Sequence, residues 1–148
     1  MKVRLTPEVE KQIRQHGEDD YPYECCGFLI GDLQDDVKII TEIRRQANER
    51  NESRETRYLI RPEEFRAAEK YAREQGKDML GIYHSHPDHP SQPSEYDRNH
   101  AWPWYAYLIL SVQNGKADKL QGWQLRDDRS AFDESAIEIL QTAKTDNS

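Results

Sequence analysis

Two histidines and an aspartate are spaced so that one metal ion could be held between them. His84 and His86 are separated by one residue in a segment whose composition favours a β-strand. Alternate residues of a strand point to the same face, about 6.5–7 Å apart, so the two imidazoles can converge on one ion. Asp97 follows a proline-rich loop, in the first turn of a helix that we expect to begin near Ser94. Its carboxylate can supply a third ligand.

Two imidazoles, one carboxylate and a water form an open tetrahedral set, which is the arrangement of catalytic zinc sites. Zinc held in this way is a Lewis acid that can lower the pKa of a bound water toward about 7. The pattern therefore predicts one Zn²⁺ per chain and hydrolytic chemistry. His89 and His100 remain alternatives for the third ligand, since His100 lies one helical turn from Asp97 on the same face.

Each part of this pattern also has an ordinary structural explanation. The segment from Ser94 to Asp97 is an S-x-x-D capping box, which could do no more than begin a helix. A histidine pair on a strand is often part of a surface or a core. The combined spacing His-x-His-x7-Ser-x2-Asp is far more specific than either part, and it favours a metal site.

The same residues resemble the signature of the JAMM, or MPN+, metalloproteases, which is a glutamate upstream of His-(Ser/Thr)-His-Pro-x6-Ser-x2-Asp. Segments 84–87 and 94–97 match this signature at every defined position. Segment 23–31, Tyr-Glu-Cys-Cys-Gly-Phe-Leu-Ile-Gly, resembles the strand-opening segment that carries the glutamate of the family. Segments 58–65 and 104–112 are also similar, so the resemblance covers most of the chain.

The resemblance implies a role for each matching residue. His84, His86 and Asp97 would bind zinc. Glu24 would be the general acid/base, and Ser94 would steady the oxyanion. Such a carboxylate can take a proton during attack on an amide and pass it to the leaving amine. A hydroxyl donor can stabilise the tetrahedral oxyanion, and the glutamate need not be a metal ligand.

The resemblance also implies a fold and a substrate. The fold would be α/β of the α+β type, an MPN or cytidine-deaminase-like mixed and mostly antiparallel sheet flanked by helices. Only 51 residues follow Asp97, so the insertions with which eukaryotic members grip ubiquitin chains are hard to accommodate. The chain therefore looks like the stand-alone prokaryotic members. We expect a zinc metallo(iso)peptidase that hydrolyses the amide after the C-terminal Gly-Gly of a small ubiquitin-like or sulfur-carrier protein, its partner.

Two other functions are compatible with the same family. One is a non-enzymatic MPN-type interaction module, a class that shares the fold but has lost ligands, and the intact residue set argues against it. The other is a zinc peptidase of the same fold that acts on another peptide, for instance in phage-tail processing.

Composition sets the remaining limits. The chain has 148 residues, which fits a single domain spanning 1–148. The formal net charge is −7, and an acidic surface repels phosphates, so nucleic acid is not an expected partner. No apolar run is long enough for a signal peptide or a membrane span. Cys25 and Cys26 fit a reducing compartment as small strand residues facing opposite sides, so we expect a soluble, cytoplasmic protein.

Local patterns predict the elements that must position these residues. Thr-Pro-Glu at 6–8 favours a helix start, and Gly17 is its expected end. Small and β-branched residues predict a hairpin of strands 25–33 and 37–43. The polar segment 44–57 is expected to be an exposed loop.

The middle of the chain alternates between short strands and a helix. We expect a short strand at 58–60, a helix from Pro62 that ends at Gly76, and a strand at 79–84. Three prolines predict that 86–93 is a stiff loop, neither helix nor central strand.

The last third of the chain reads as a helix followed by strands. The helix restarts at Ser94, and a buried strand is expected at 105–112. Asn-Gly at 114–115 predicts a hairpin turn that leads to a partner strand at 120–125. A last strand is expected at 137–139.

Overall fold

The structure, a computed structural model, describes residues 2–46 and 60–141. Its elements are β1 (Lys2–Leu5), α1 (Pro7–Asp20), β2 (Cys26–Gln34), β3 (Val37–Gln46), α2 (Pro62–Glu74), β4 (Asp78–Pro87), α3 (Glu95–His100), β5 (Ala106–Gln113), β6 (Lys116–Leu125), β7 (Phe132–Ser135) and β8 (Ile137–Ile139). Among these helices, none is long and apolar enough to cross a membrane.

The eight strands form one mixed sheet in the order β7-β6-β5-β4-β2-β3-β1-β8. Strand β2 runs antiparallel to β3 and β4, and β6 runs antiparallel to β5 and β7. The pairs β4–β5, β1–β3 and β1–β8 are parallel. The expected mixed, mostly antiparallel α/β sheet flanked by helices is confirmed.

The two edge strands of the sheet, β7 and β8, lie next to each other in the chain. Strands β7 and β8 are separated in the chain by Ala136 alone, although they stand at opposite ends of the sheet. The backbone N–H of Val3 donates to the carbonyl of Ala136 at 2.9 Å. Since α1 packs against strands from both halves of the sheet, namely β1, β3, β4, β5 and β6, the sheet curls around this helix.

Helix α1 begins where the sequence predicts but ends later. Thr6 caps it by accepting a hydrogen bond from the Val9 N–H. The expected end at Gly17 is wrong, because the helix continues to Asp20. Gly17 serves packing: a Cβ there would lie 2.6 Å from Cδ2 of Leu110, so glycine lets α1 approach β5 closely.

The two faces of the sheet bury separate apolar clusters. Cys25 belongs to the cluster under α1, and Cys26 belongs to the cluster under α2, so their predicted opposite orientation is confirmed. Burial raises the pKa of the Cys25 thiol to about 12 and also raises that of Cys26. Neither thiol is therefore ionised at neutral pH, which agrees with a packing role.

Most other predicted elements are confirmed. The hairpin appears as β2 and β3, and the helix from Pro62 ends at Glu74, just before Gly76 with φ +70°. The strands predicted at 105–112, 120–125 and 137–139 correspond to β5, β6 and β8. Two short strands, β1 and β7, were not predicted.

Three expectations need correction or fall outside the described residues. Residues 44–46 belong to β3, not to a polar loop, and 47–57 lie outside the described residues. Of the strand expected at 58–60, Ile60 is described and is not in a strand. The expectation that no central strand enters 86–93 is wrong, because β4 runs through His86 to Pro87.

Proline is tolerated at the end of β4 because of where its missing N–H would point. The N–H of Ser85 donates to the carbonyl of Cys25, just before β2, and the N–H of Asp88 donates to the carbonyl of Val112 in β5. By alternation, the nitrogen of Pro87 faces the β2 side, beyond the start of β2. No ladder hydrogen bond is lost there.

Candidate metal centre

The end of β4 places two histidines on the sheet face that α2 and α3 cover. His84 and His86 are both buried. Their Nε2 atoms lie 3.2 Å apart, so the predicted convergence of the two rings is found.

Helix α3 brings Asp97 to the same point. The Oδ1 atom of Asp97 lies 3.2 Å from Nε2 of His84, and its Oδ2 atom lies 3.2 Å from Nε2 of His86. Ser94 caps the helix: its hydroxyl accepts from the Asp97 N–H, and its own N–H donates to Oδ2 of Asp97 at 2.9 Å. The capping box and the metal pattern are therefore the same structure, since one carboxylate serves both.

The protonation of the cluster suits a cation. The ring Nδ1 of His86 lies 2.8 Å from the carbonyl of Pro90. A carbonyl can only accept, so Nδ1 carries the proton and a neutral His86 presents a lone pair at Nε2. Metal-bound histidines commonly use the second nitrogen in this way.

Burial and charge keep the other two groups in ligand form. Burial lowers the pKa of His84, although the charge of Asp97 acts in the opposite direction. The lowered pKa favours the neutral imidazole, which is the form that binds metals. Burial opposes ionisation of Asp97, whereas the Ser94 N–H, which donates to Oδ2 at 2.9 Å, favours the carboxylate form. Acceptor atoms thus face one another in the cluster.

The donor geometry fits a tetrahedral ion. Donor atoms that surround a metal at about 2.0–2.1 Å are about 3.3 Å apart in a tetrahedron, close to the 3.2 Å between the two Nε2 atoms and to the 3.2 Å from each Nε2 atom to one oxygen of Asp97, Oδ1 for His84 and Oδ2 for His86. His84, His86 and Asp97 could therefore hold a metal ion. The alternatives His89 and His100 do not join them: both are exposed, and His100 stacks on Tyr96.

Glu24 lies just before β2, the strand that pairs with the strand of the two histidines. It is buried, with 5% of its surface exposed, and it comes two residues before Cys26. Cys26 pairs with His84 in the antiparallel β2–β4 register. Continued by two residues, this register places Glu24 opposite His86 on the metal-binding face.

Ser85, which the sequence analysis left without a role, fixes the backbone next to Glu24. The Ser85 hydroxyl accepts a hydrogen bond from the Cys25 N–H at 2.9 Å, and the Ser85 N–H donates to the Cys25 carbonyl at 3.1 Å. The hydroxyl residue between the two histidines is the sequence signal for this pair of hydrogen bonds.

Ser94 is exposed and stands at the entrance to α3. Its oxygen accepts the Asp97 N–H, which leaves the hydroxyl proton available to a further acceptor. The geometry therefore allows Ser94 to donate a hydrogen bond beside the metal ligands.

Two buried imidazoles and a buried carboxylate at the rim of a mixed sheet form a set that could hold a metal ion, as the sites of metal-dependent hydrolases do. Residues 6–126 match the family model of the prokaryotic homologs of the JAB domain, and the chain belongs to this family. Its activity class is that of a JAMM-type isopeptidase.

Two curated relatives show how far the similarity extends. Over 115 residues the chain is 35% identical to the desampylase of Haloferax volcanii, covering 74% of this chain and 81% of that protein. Over 115 residues it is 31% identical to the tail tip assembly protein K of Escherichia phage N15, covering 74% of this chain. It spans 41% of the phage protein, less than half of its length.

Solved structures share the fold of this chain. A Salinibacter ruber protein is 42% identical with a TM-score of 0.73, covering 97% of this chain and 94% of that one. A Desulfitobacterium hafniense protein is 28% identical with a TM-score of 0.82, covering 96% and 95%. A JAB1/MPN domain protein from Archaeoglobus fulgidus, 18% identical with a TM-score of 0.61 and covering 95% and 100%, shares the fold.

Proposed function

We propose that the protein is a zinc isopeptidase that hydrolyses the amide bond after the C-terminal Gly-Gly of a small ubiquitin-like or sulfur-carrier protein. The observation that carries the proposal is the buried convergence of His84, His86 and Asp97. The similarity to a desampylase, a name that denotes removal of the small ubiquitin-like modifier SAMP, supports this class of substrate.

Zinc is the metal that suits these donors best. Imidazole nitrogen and carboxylate oxygen are its usual ligands in hydrolases, and three protein ligands leave one position open. When bound between His84, His86 and Asp97, it would supply Lewis-acid polarisation of the scissile carbonyl.

The remaining steps belong to the side chains of the chain itself. Glu24, buried opposite His86, accepts a proton from the attacking water and delivers it to the leaving amine. The Ser94 hydroxyl donates a hydrogen bond to the carbonyl oxygen, which becomes negative as the carbonyl carbon turns tetrahedral. Ser85 holds the backbone that carries Glu24, so the base keeps its distance from the reacting atoms.

Burial of the ligands favours a tail without side chains. His84 is 1% exposed, Asp97 6% and His86 8%, so the approach to them is narrow. An extended Gly-Gly terminus fits such an approach better than bulky residues do. Selectivity would therefore come from what can reach the metal.

The test is cleavage of a small ubiquitin-like carrier joined through its C-terminal glycine to a lysine peptide, followed by mass spectrometry. Zinc-loaded enzyme should release the intact carrier, and a chelator should stop the reaction. A conjugate whose terminal glycine is replaced by leucine should resist cleavage. Equal cleavage of the leucine conjugate would contradict the narrow approach.

A second candidate is a peptidase of the same fold that acts on another peptide. The 31% identity to the tail tip assembly protein K of a phage favours it. It would be preferred if zinc-loaded enzyme cleaved no Gly-Gly conjugate but did cut a peptide library.

A further inference from the structure

A cavity of about 930 Å³ lies beside the metal ligands, between the start of α2 and the end of α3. Four aromatic residues line it, namely Phe65, Tyr96, Trp102 and Tyr105, and the rings of Phe65 and Tyr105 pack edge to face. Trp102 is 59% exposed, an unusual position for an indole ring. The cavity is large enough for several side chains.

The cavity lies near the metal-binding residues, although none of His84, His86 and Asp97 lines it. Ile82 lines it and precedes His84 by two residues of β4, on the same sheet face. The two residues are therefore about 7 Å apart along the strand. On the opposite wall, Tyr96 lines the cavity and is the chain neighbour of Asp97.

The charge of the cavity is opposite to that of the protein. Three arginines line it, Arg61, Arg66 and Arg129, whereas the lining contains neither aspartate nor glutamate. The chain as a whole carries −7. Within residues 2–46 and 60–141, neither Arg66 nor Arg129 forms an ion pair with a carboxylate.

Two contacts of these walls involve charged side chains. The guanidinium of Arg129 lies 5.9 Å from the centre of the Trp102 ring. The acid beside the cavity, Glu69, accepts a hydrogen bond from the Tyr105 hydroxyl at 3.3 Å. Among the described residues, Arg66 and Arg129 are exposed and have no carboxylate partner, so their positive charge is open to an anionic ligand.

We propose that this cavity binds the segment of the modifier tail just before Gly-Gly and selects an acidic residue there. The inference rests on the proposed function. Two extended residues span about 7 Å, so Gly-Gly would bridge the distance from the metal ligands to the cavity over Ile82. The third to fifth residues from the C-terminus then lie among the aromatic walls, where a carboxylate can meet Arg66 or Arg129.

The first experiment compares tail peptides that end in a free Gly-Gly carboxylate and carry Glu, Gln or Lys at the third, fourth or fifth position from the end. Binding to the zinc-loaded protein is measured by calorimetry and by Trp fluorescence. At one of these three tail positions, we expect the Glu peptide to bind about 5- to 30-fold more tightly than the Gln peptide, and the Lys peptide to bind more weakly than either. The preference should shrink with added salt.

Matched variants locate the effect. In Arg66→Gln combined with Arg129→Gln, the preference for Glu should disappear. Arg73→Gln changes the same charge on α2 outside the cavity, and it should keep the preference. Zinc content, measured on each variant, should stay the same as in the wild type.

Cleavage of carrier conjugates with the same three residues provides the second readout. We expect kcat/KM to follow the order Glu, Gln, Lys. Equal binding of all three peptides, or a preference that survives in the double arginine variant, overturns the cavity proposal. Selective binding without cleavage of any conjugate keeps the cavity proposal and refutes the proposed function.

Discussion

Neighbouring residues of β4 contribute to two buried polar clusters on opposite faces of the sheet. Tyr83 points toward α1, where its hydroxyl lies 2.7 Å from Nδ1 of His16. The other nitrogen of His16 lies 3.3 Å from the carboxylate of Asp20. His84 points toward α3, where it meets a second imidazole and a carboxylate.

The two clusters differ in whether protons and acceptors match. The Asp20 carboxylate accepts the His16 Nε2–H, and Nδ1 then accepts the Tyr83 hydroxyl, so every contact joins a donor to an acceptor. On the other face of the sheet, Nδ1–H of His86 donates a hydrogen bond to the carbonyl of Pro90, and Nε2 of the same ring faces the Asp97 carboxylate with a lone pair. A buried histidine indicates a ligand site when its free nitrogen faces other acceptor atoms. It indicates a structural role when each of its nitrogens faces a hydrogen-bond partner of the opposite kind.

The largest expected effect is loss of the metal. Asp97→Asn keeps an acceptor for the Ser94 N–H but removes the negative charge, so zinc per chain should fall far below one and conjugate cleavage should become undetectable. Elemental analysis and the mass assay measure both. Unchanged zinc content would show that Asp97 is not a ligand.

The next effect separates the base from the ligands. Glu24→Gln keeps the size of the side chain and removes the proton carrier, so turnover should fall by about 10²–10⁴-fold while zinc is retained. Steady-state kinetics on protein of measured zinc content tests this. Loss of zinc from this variant would make Glu24 a ligand and refute the mechanism above.

A smaller effect is expected at Ser94. Ser94→Ala removes the donor to the oxyanion, and we expect kcat to fall by about 10²–10³-fold, with loss of the cap costing about 1 kcal/mol of stability. Ser94→Thr keeps the hydroxyl and should restore most of both. If the kcat of Ser94→Ala is close to that of the wild type, Ser94 caps the helix but does not act as a donor to the oxyanion.

The smallest effect on activity is expected on the α1 face. His16→Phe leaves the Tyr83 hydroxyl buried without its partner, so the free energy of unfolding should drop by about 1–3 kcal/mol while zinc content and kcat stay unchanged. Urea unfolding with the cleavage assay tests this. A loss of zinc would show that the two faces are coupled.

The same variant should change the pH dependence of stability. Burial lowers the pKa of His16 below its usual 6.5, against the opposing effect of Asp20. The unfolded chain then binds more protons, so the stabilising contribution is present above pH 6.5 and is lost as the pH falls through the folded pKa. Denaturation at several pH values should show a smaller loss in His16→Phe than in the wild type.

The metal-binding cluster could be predicted from sequence because its ligands lie within fourteen residues. Strand alternation relates His84 to His86, and a helix start relates Asp97 to Ser94. The matched cluster could not be predicted in this way, since His16 and Tyr83 are 67 residues apart and meet across helix and sheet. A single histidine in a polar helix gives no periodic signal.

The same limit applies to the fold. The hairpin and helix α2 follow from local patterns, whereas β1 has only four residues and pairs with strands far along the chain. Gly17 was expected to end α1 because glycine is typical of helix ends, yet here it makes room for Leu110, whose position only the tertiary structure reveals.

Closure of the sheet also sets the order in which a growing chain can complete its fold. Val3 bonds to Ala136 and β1 pairs with β8, so contacts at this seam join residues more than 130 positions apart. Such contacts form late and slow folding, because a long loop must close first. During synthesis, residues 24–97 leave the ribosome well before Ile137, and the metal ligands can assemble on central strands whose seam is still open.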